Sequence, residues 1–307
     1  MISSIGTNQL SGSSSAVERQ LPKLDVAGSI PVSRSIMTAK LTFFFAVLLF
    51  APFAKPQPGP QSFLGFDRNE YPGDESLPAL RSTFAYSSYW LNPPPRSKTN
   101  SWLGKRELLQ KAGFGFLVLY NGKLYKQLKS LPDAAATGKK DGTTASQTAQ
   151  AEGFPKGTVI FLDQEEGGRL FDIQKAYIYA FADAVTKQGF RAGVYCSGTP
   201  LTEPDGTVIT TAGDLQSHAG GRQLAYWISN DACPPSPGCS LSPLPPPAGG
   251  GIRFAEVWQY AQSPRRPQYT AACARTYGAD KNCYAPATHI HVDLNTSTSR
   301  DPSHGRR

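Results

Sequence analysis

The sequence is short of charge, sulfur and imidazole. Asp, Glu, Lys and Arg make up 18% of its 307 residues, with four histidines, two methionines and five cysteines. Low charge density beside 39% apolar residues excludes a chain held open by self-repulsion. No CxxC pair and no Cys/His spacing suited to zinc occurs, so neither a zinc module nor a dithiol redox site is expected. The net charge of +8 is spread along the chain, apart from short pairs such as Arg265-Arg266. With no basic stripe, nucleic acid is not an expected partner, and the excess implies only a mild attraction to anionic polymers or envelopes. A glycine-rich phosphate loop is also missing after the first strand candidate, where "GFDRNEYPGD" (65–74) stands instead. No cofactor and no bound metal are expected.

Nor is there a hydrophobic run that spans a bilayer comfortably. The longest, Leu41–Phe50, is about half of the ~20 residues a spanning helix needs. With Lys40 before it and Ala54 after it, residues 37–54 have the layout of a signal peptide. Export to a secreted or periplasmic location at a bacterial envelope follows, with no stable membrane span after cleavage. Residues 1–36 precede that signal and read oddly. "SSAVER" (14–19) and "GSIP" (28–31) back-translate into the D-arm and T-arm of a transfer RNA gene, so Met37 is the expected start. Disulfides fit an oxidising compartment. Cys233–Cys239 and Cys273–Cys283 are the expected pairs, with Cys196 left single.

Glycine (29) and proline (26) gather in a few stretches, a sign of long loops on a regular scaffold. After a linker at 55–60, strand candidates fall at 63–67, 83–89, 115–120, 157–163, 191–196, 224–229, 254–260 and 289–293. Helix candidates fall at 102–112, 143–152, 171–188 and 211–219. Eight strands with interleaved helices in one domain predict an α/β fold of (β/α)8 TIM-like barrel type, over residues 61–298, in a monomeric protein. Four strands are continuously apolar, as strands buried on both faces should be. A Pro/Gly-rich, disulfide-stapled insertion at 231–251 separates strands six and seven, and residues 299–307 read as a disordered tail.

The chemistry gathers where apolar strands end. Val159-Ile160-Phe161-Leu162 runs into Asp163, Glu165 and Glu166. Asp67 ends strand one and Asp293 ends strand eight. Barrel active sites sit at the C-terminal strand ends, so these acids should share one mouth. Tyr120, Trp227, Trp258 and Tyr260 lie near strand ends as well. Acids with aromatic faces in one cleft point to a carbohydrate ligand. Glycosidic cleavage needs one protonated and one charged carboxyl, and crowding pushes carboxyl pKa values apart. Glu165, with the longer reach, is the candidate general acid and Asp163 the candidate standing charge. Glu166 is expected to be solvated or bonded within its loop, and His289 and His291 to be structural.

The motifs "GFD" (65–67), "DQE" (163–165), "YWIS" (226–229), "VWQY" (257–260) and "VDLN" (292–295) resemble, in order, those of family-25 glycoside hydrolases. These are lysozyme-type muramidases on a (β/α)8-like barrel. In texture the chain is closer still to their secreted bacterial glycoside-hydrolase-like relatives. The resemblance covers about residues 63–297. It implies Asp67, Asp163, Glu165 and Asp293 as site acids, Trp227, Trp258 and Tyr260 as cleft lining, and retaining chemistry on a peptidoglycan-type glycan. It departs from the lysozyme pattern after Asp67 and in the loops at 121–142 and 231–251, which puts muramidase specificity in question. Three classes stay open: a hydrolase, a glycan-binding barrel without catalysis, and, with little support, a metal-dependent deacetylase.

Overall fold

The computed structural model describes residues 61–230, 244–262 and 290–306. The leader, the signal candidate, both expected cysteine pairs and His289 lie outside the described residues.

Eight strands close a barrel. They are β1 (Phe63–Asp67), β2 (Tyr86–Trp90), β3 (Gly115–Asn121), β4 (Val159–Asp163), β5 (Arg191–Ser197), β8 (Ala225–Ser229), β9 (Val257–Ala261) and β10 (Asp293–Ser297). Between β5 and β8 lies a small hairpin, β6 (Leu201–Thr202) and β7 (Val208–Ile209). Around the barrel the order is β1-β10-β9-β8-β5-β4-β3-β2. The pairings from β1 through β2, β3, β4, β5 and β8 to β9 are parallel. Those of β10, with β9 and with β1, are antiparallel.

The architecture is therefore a mixed α/β single domain around a closed eight-stranded barrel, in which β10 departs from the all-parallel order of a (β/α)8 barrel. The helices α1 (Leu77–Arg81), α2 (Arg106–Lys111), α3 (Leu131–Ala151), α4 (Asp172–Lys187) and α5 (Thr211–Ser217) all precede β8. Beyond β8, among the described residues, the one helical element is a 3-10 turn at Pro247–Gly250. The last strand also starts four residues later than the candidate at 289–293 predicts. Among the described residues no helix is long and apolar enough to cross a membrane.

Packing explains two stretches that read poorly in the sequence. Helix α3 begins at Leu131, twelve residues before the helix candidate. Its first half holds Gly138, Asp141 and Gly142, all poor helix formers. Tertiary contact overrides propensity there. A Cβ at Gly138 would stand 2.1 Å from the Tyr177 carbonyl oxygen, and one at Gly142 2.5 Å from that of Phe181. The glycines let α3 lie directly on α4. Buried Asp141 accepts a 2.9 Å hydrogen bond from the Tyr177 hydroxyl.

The C-terminal residues are ordered, not the expected tail. Asp301 Oδ1 accepts from Phe116 N at 2.9 Å, Ser303 Oγ from Val118 N at 2.9 Å and Ser303 O from Val159 N at 2.8 Å. The segment thereby satisfies backbone groups of β3 and β4 that have no ladder partner there. Short polar residues carry this docking through two side-chain oxygens and one backbone carbonyl, which no hydrophobic pattern announces. Cys196 is a buried free thiol on β5.

Candidate active site at the barrel mouth

The strands deliver the acids in register. Asp163 pairs across the sheet with Tyr195, and Tyr195 with Trp227, while Asp67 pairs with Asp293. Paired residues share a face, so these side chains meet inside the mouth. Asp67, Asp163, Glu165 and Asp293 all line one cavity of about 100 Å³, with Trp227, Tyr195 and Gln259. The four predicted acids are thus brought together. Asp293 arrives by a different route from the one expected: it opens β10 rather than ending a strand, and reaches the mouth because β10 runs backwards.

The barrel interior beneath is filled by rings set against glycines. A Cβ on Gly65 would collide with the Tyr86 ring at 2.0 Å, and one on Gly193 with Phe161 at 2.5 Å. This floor keeps water from below, so the acids above it sit in a poorly solvated pocket.

Asp163 is 4% exposed and its Oδ1 has no hydrogen-bond partner. Burial, then the charges of Glu165 and Asp67, push its carboxyl well above the ordinary aspartate range. Its proton is held more tightly than that of an ordinary aspartate, which weighs against Asp163 as the standing charge. Asp67 has a different setting. Its Oδ1 accepts from Asn295 Nδ2 at 2.6 Å and from Gln259 Nε2 at 2.9 Å. Two amide donors aimed at one oxygen suit a carboxylate. The network continues outward: Trp227 Nε1 donates to Asn295 Oδ1 at 2.9 Å, and the Tyr195 hydroxyl to Gln259 Oε1 at 2.8 Å. Burial, then the charge of Asp67, hold the Tyr195 phenol far above its ordinary range, so it stays a donor.

Glu165 is exposed at the lip. It also lines a second, outer cavity of about 310 Å³, shared with Asp163. Amides build much of that wall. Asn92 and Asn121 bond reciprocally, at 3.1 and 2.7 Å, and Asn121 Nδ2 and Asn69 Nδ2 hold the carbonyls of Pro93 and Pro95 at 2.9 and 3.2 Å. Arg96, next in the chain, takes a left-handed φ of 66° at this rim. Glu166 turns away from both cavities and is bonded outside its own loop: its Oε2 accepts from Tyr125 N, in the loop after β3, and from Gln174 Nε2 on α4, both at 2.7 Å.

Three aromatic residues predicted for the cleft do not line it. Tyr120 faces outward, its ring 5.7 Å from that of Phe181 on α4. Trp258 lies under the 3-10 turn, where a Cβ on Gly249 would meet its ring at 2.9 Å. Tyr260 sits at the irregularity where the β9–β10 register shifts, packed 5.7 Å from Trp258. Strand parity is the reason: on β9 it is Gln259 that points inward. Of the four predicted aromatics, Trp227 lines the inner of these two cavities, and among the described residues the other three line neither. Sequence reasoning missed Tyr195, Gln259 and Asn295. The signal was within the quoted motifs, where "VWQY" and "VDLN" hold Gln259 and Asn295 beside the residues chosen. His291, near Arg68, has its imidazole pKa lowered by burial and then by that charge. Among the described residues no group of three His, Cys, Asp or Glu side chains could hold a metal ion.

Residues 95–235 match the Rv2525c-like, glycoside hydrolase-like domain. Over that span, which includes Asp163 and Glu165, the chain is similar to a glycoside hydrolase-like class of proteins; β1, β2, β9 and β10 lie outside it. Among solved structures, an uncharacterized B. stearothermophilus protein has the same fold, at 18% identity and TM-score 0.50, covering 76% of this chain and 94% of that one. The Mycobacterium tuberculosis Tat-secreted protein Rv2525c in complex with L-tartrate is 13% identical, TM-score 0.47, covering 77% and 95%. The catalytic domain of endolysin ply40 from bacteriophage P40 of Listeria monocytogenes is 16% identical, TM-score 0.44, covering 79% and 96%. No curated protein matches the chain in sequence.

Proposed function

We propose that this protein is an exported glycosidase that cleaves a cell-envelope glycan of peptidoglycan type, with a family-25-like site. The carrying observation is the convergence of four carboxyl groups, in unlike environments, on one cavity at the barrel mouth. Glu165, at the lip, donates its proton to the leaving oxygen. Asp163 stays neutral, so the glutamate left at the lip does not face a buried negative charge beside it. Asp67, held by Gln259 and Asn295, faces the positive charge that develops on the sugar ring; the substrate's own acetamido oxygen bonds that carbon, and water, giving a proton back to Glu165, then displaces it. The Glu165 proton transfer supplies on the order of 10²–10⁴ in rate. All four acids come from one chain, so a monomer is sufficient. The signal-like segment at 37–54 supports export.

A second reading, a glycan-binding barrel without turnover, draws on the exposure of Glu165, since general acids are commonly set in half-buried pockets. Incubating the full chain with purified peptidoglycan and a panel of polysaccharides, followed by mass spectrometry of soluble products, separates the two. Fragments with new reducing ends support the glycosidase. Binding without product supports the binder, and neither binding nor product overturns both.

A further inference from the structure

The mouth carries an aromatic feature that the acid site does not use. Phe171 and Tyr125 are 61% and 45% exposed, and their rings lie 4.9 Å apart at 40°. They come from the loops after β4 and β3, on the same end of the barrel as the acids. A single carboxylate oxygen fixes both loops. Glu166 Oε2 accepts from Tyr125 N and from Gln174 Nε2, each at 2.7 Å, and Gln174 Oε1 accepts from Phe171 N at 3.0 Å. Gln174 itself is 3% exposed. The rings are therefore mounted on a clasp anchored in the protein, and Phe171 stays in water although the fold holds its backbone in place.

The pair adjoins, along the chain, residues that line the cleft. Leu124 and Gln127, on either side of Tyr125, line the outer cavity, and Glu165, next to Glu166, lines both cavities. Among the described residues the outer cavity has amides and cations in its wall but no aromatic ring, so a ring that stacks on a sugar there would come from the rim. We propose that Tyr125 and Phe171 form an outer platform that stacks on a pyranose ring of a long glycan strand, beyond the sugar held at the acids. This rests on the glycan reading above and adds a length preference to it. Glu166 is a positioning residue for the platform. Its role explains an acid that follows the Asp163–Glu165 pair yet points away from it.

The test uses the full chain and two probes of one chemistry: peptide-free glycan strands of peptidoglycan, and their repeating disaccharide, each titrated by calorimetry. Phe171→Ala should weaken strand binding roughly tenfold, while disaccharide binding is unchanged. Phe171→Trp should restore strand binding. Glu166→Ala, which keeps both rings but frees both loops, should also weaken strand binding selectively. Thermal melts confirm that each variant folds, which an exposed ring permits. Equal affinity of wild type and Phe171→Ala for strands would overturn the platform and leave the glycan reading intact. Loss of self-association in Phe171→Ala, with strand binding unchanged, would assign the pair to a contact between copies and overturn it too. Failure of wild type to bind either probe would overturn the glycan reading together with this inference.

Discussion

Replacing Asp163 by Asn gives a pH signature that can be worked out from its surroundings. The native carboxyl is buried, lacks a partner on Oδ1 and faces Glu165 and Asp67, so its pKa is raised on folding. The native state therefore holds the proton more tightly than the unfolded chain, where an aspartate titrates near ~3.9. The stability tied to that proton is fully present below about pH 4 and is lost as pH rises through the raised native value. Asn keeps the shape of the protonated acid and does not titrate. The stability gap in favour of Asp163→Asn should thus widen from about pH 4 upward, at most by ~1.4 kcal/mol per pH unit for one proton, then level off. For a domain of this size 1 kcal/mol moves Tm by roughly 2–4 °C, so one unit of pH in the sensitive window should widen the gap by about 3–6 °C. Parallel thermal melts of the two proteins between pH 4 and 8 measure it, and titrations common to both cancel. A gap that is constant with pH would refute the raised pKa. A gap that narrows as pH rises would mean that Asp163 is stabilised as a charge.

Two further substitutions test the scaffold. Gly138→Ala places a Cβ 2.1 Å from a carbonyl oxygen of α4 and should lower unfolding stability by about 2–3 kcal/mol, read by urea denaturation. Deleting residues 300–307 orphans the N–H groups of Phe116, Val118 and Val159. At roughly 1–3 kcal/mol for each unsatisfied buried donor, Tm should fall by ~10 °C or more. A truncated protein as stable as the full chain would show that the segment is dispensable.

The parts of this architecture that announce themselves in sequence are those where one residue property decides the outcome. Apolar runs mark β3 and β4 because those strands are buried on both faces, and the periodic apolar stripe marks α4 to within a residue at each end. The acids were legible because carboxylates at the ends of apolar strands have little structural reason to be there. Strand β10 was misplaced because its buried residues include Asn295, Thr296 and Ser297, polar groups that serve the site and the ladder instead of an apolar core. Its backward direction leaves no local mark at all. The aromatic lining was misassigned for a related reason. When both faces of a strand are buried, composition cannot show which face is the barrel interior, and Trp258 and Gln259 differ only in parity. Helix α3 was half hidden because its glycines are selected by the approach of α4, a long-range contact that overrides local propensity.

The central claim is that Glu165 is the proton donor of a glycan-cleaving site. The direct measurement is turnover of purified peptidoglycan by wild type, Glu165→Gln and a surface control, Glu107→Gln, with product mass spectrometry and strand binding measured on the same samples. The account predicts that Glu165→Gln loses roughly 10²–10⁴-fold in turnover while it still binds strands, and that Glu107→Gln, whose carboxyl pairs with exposed Lys111, retains full activity. Full activity in Glu165→Gln, or no product from wild type, would contradict it.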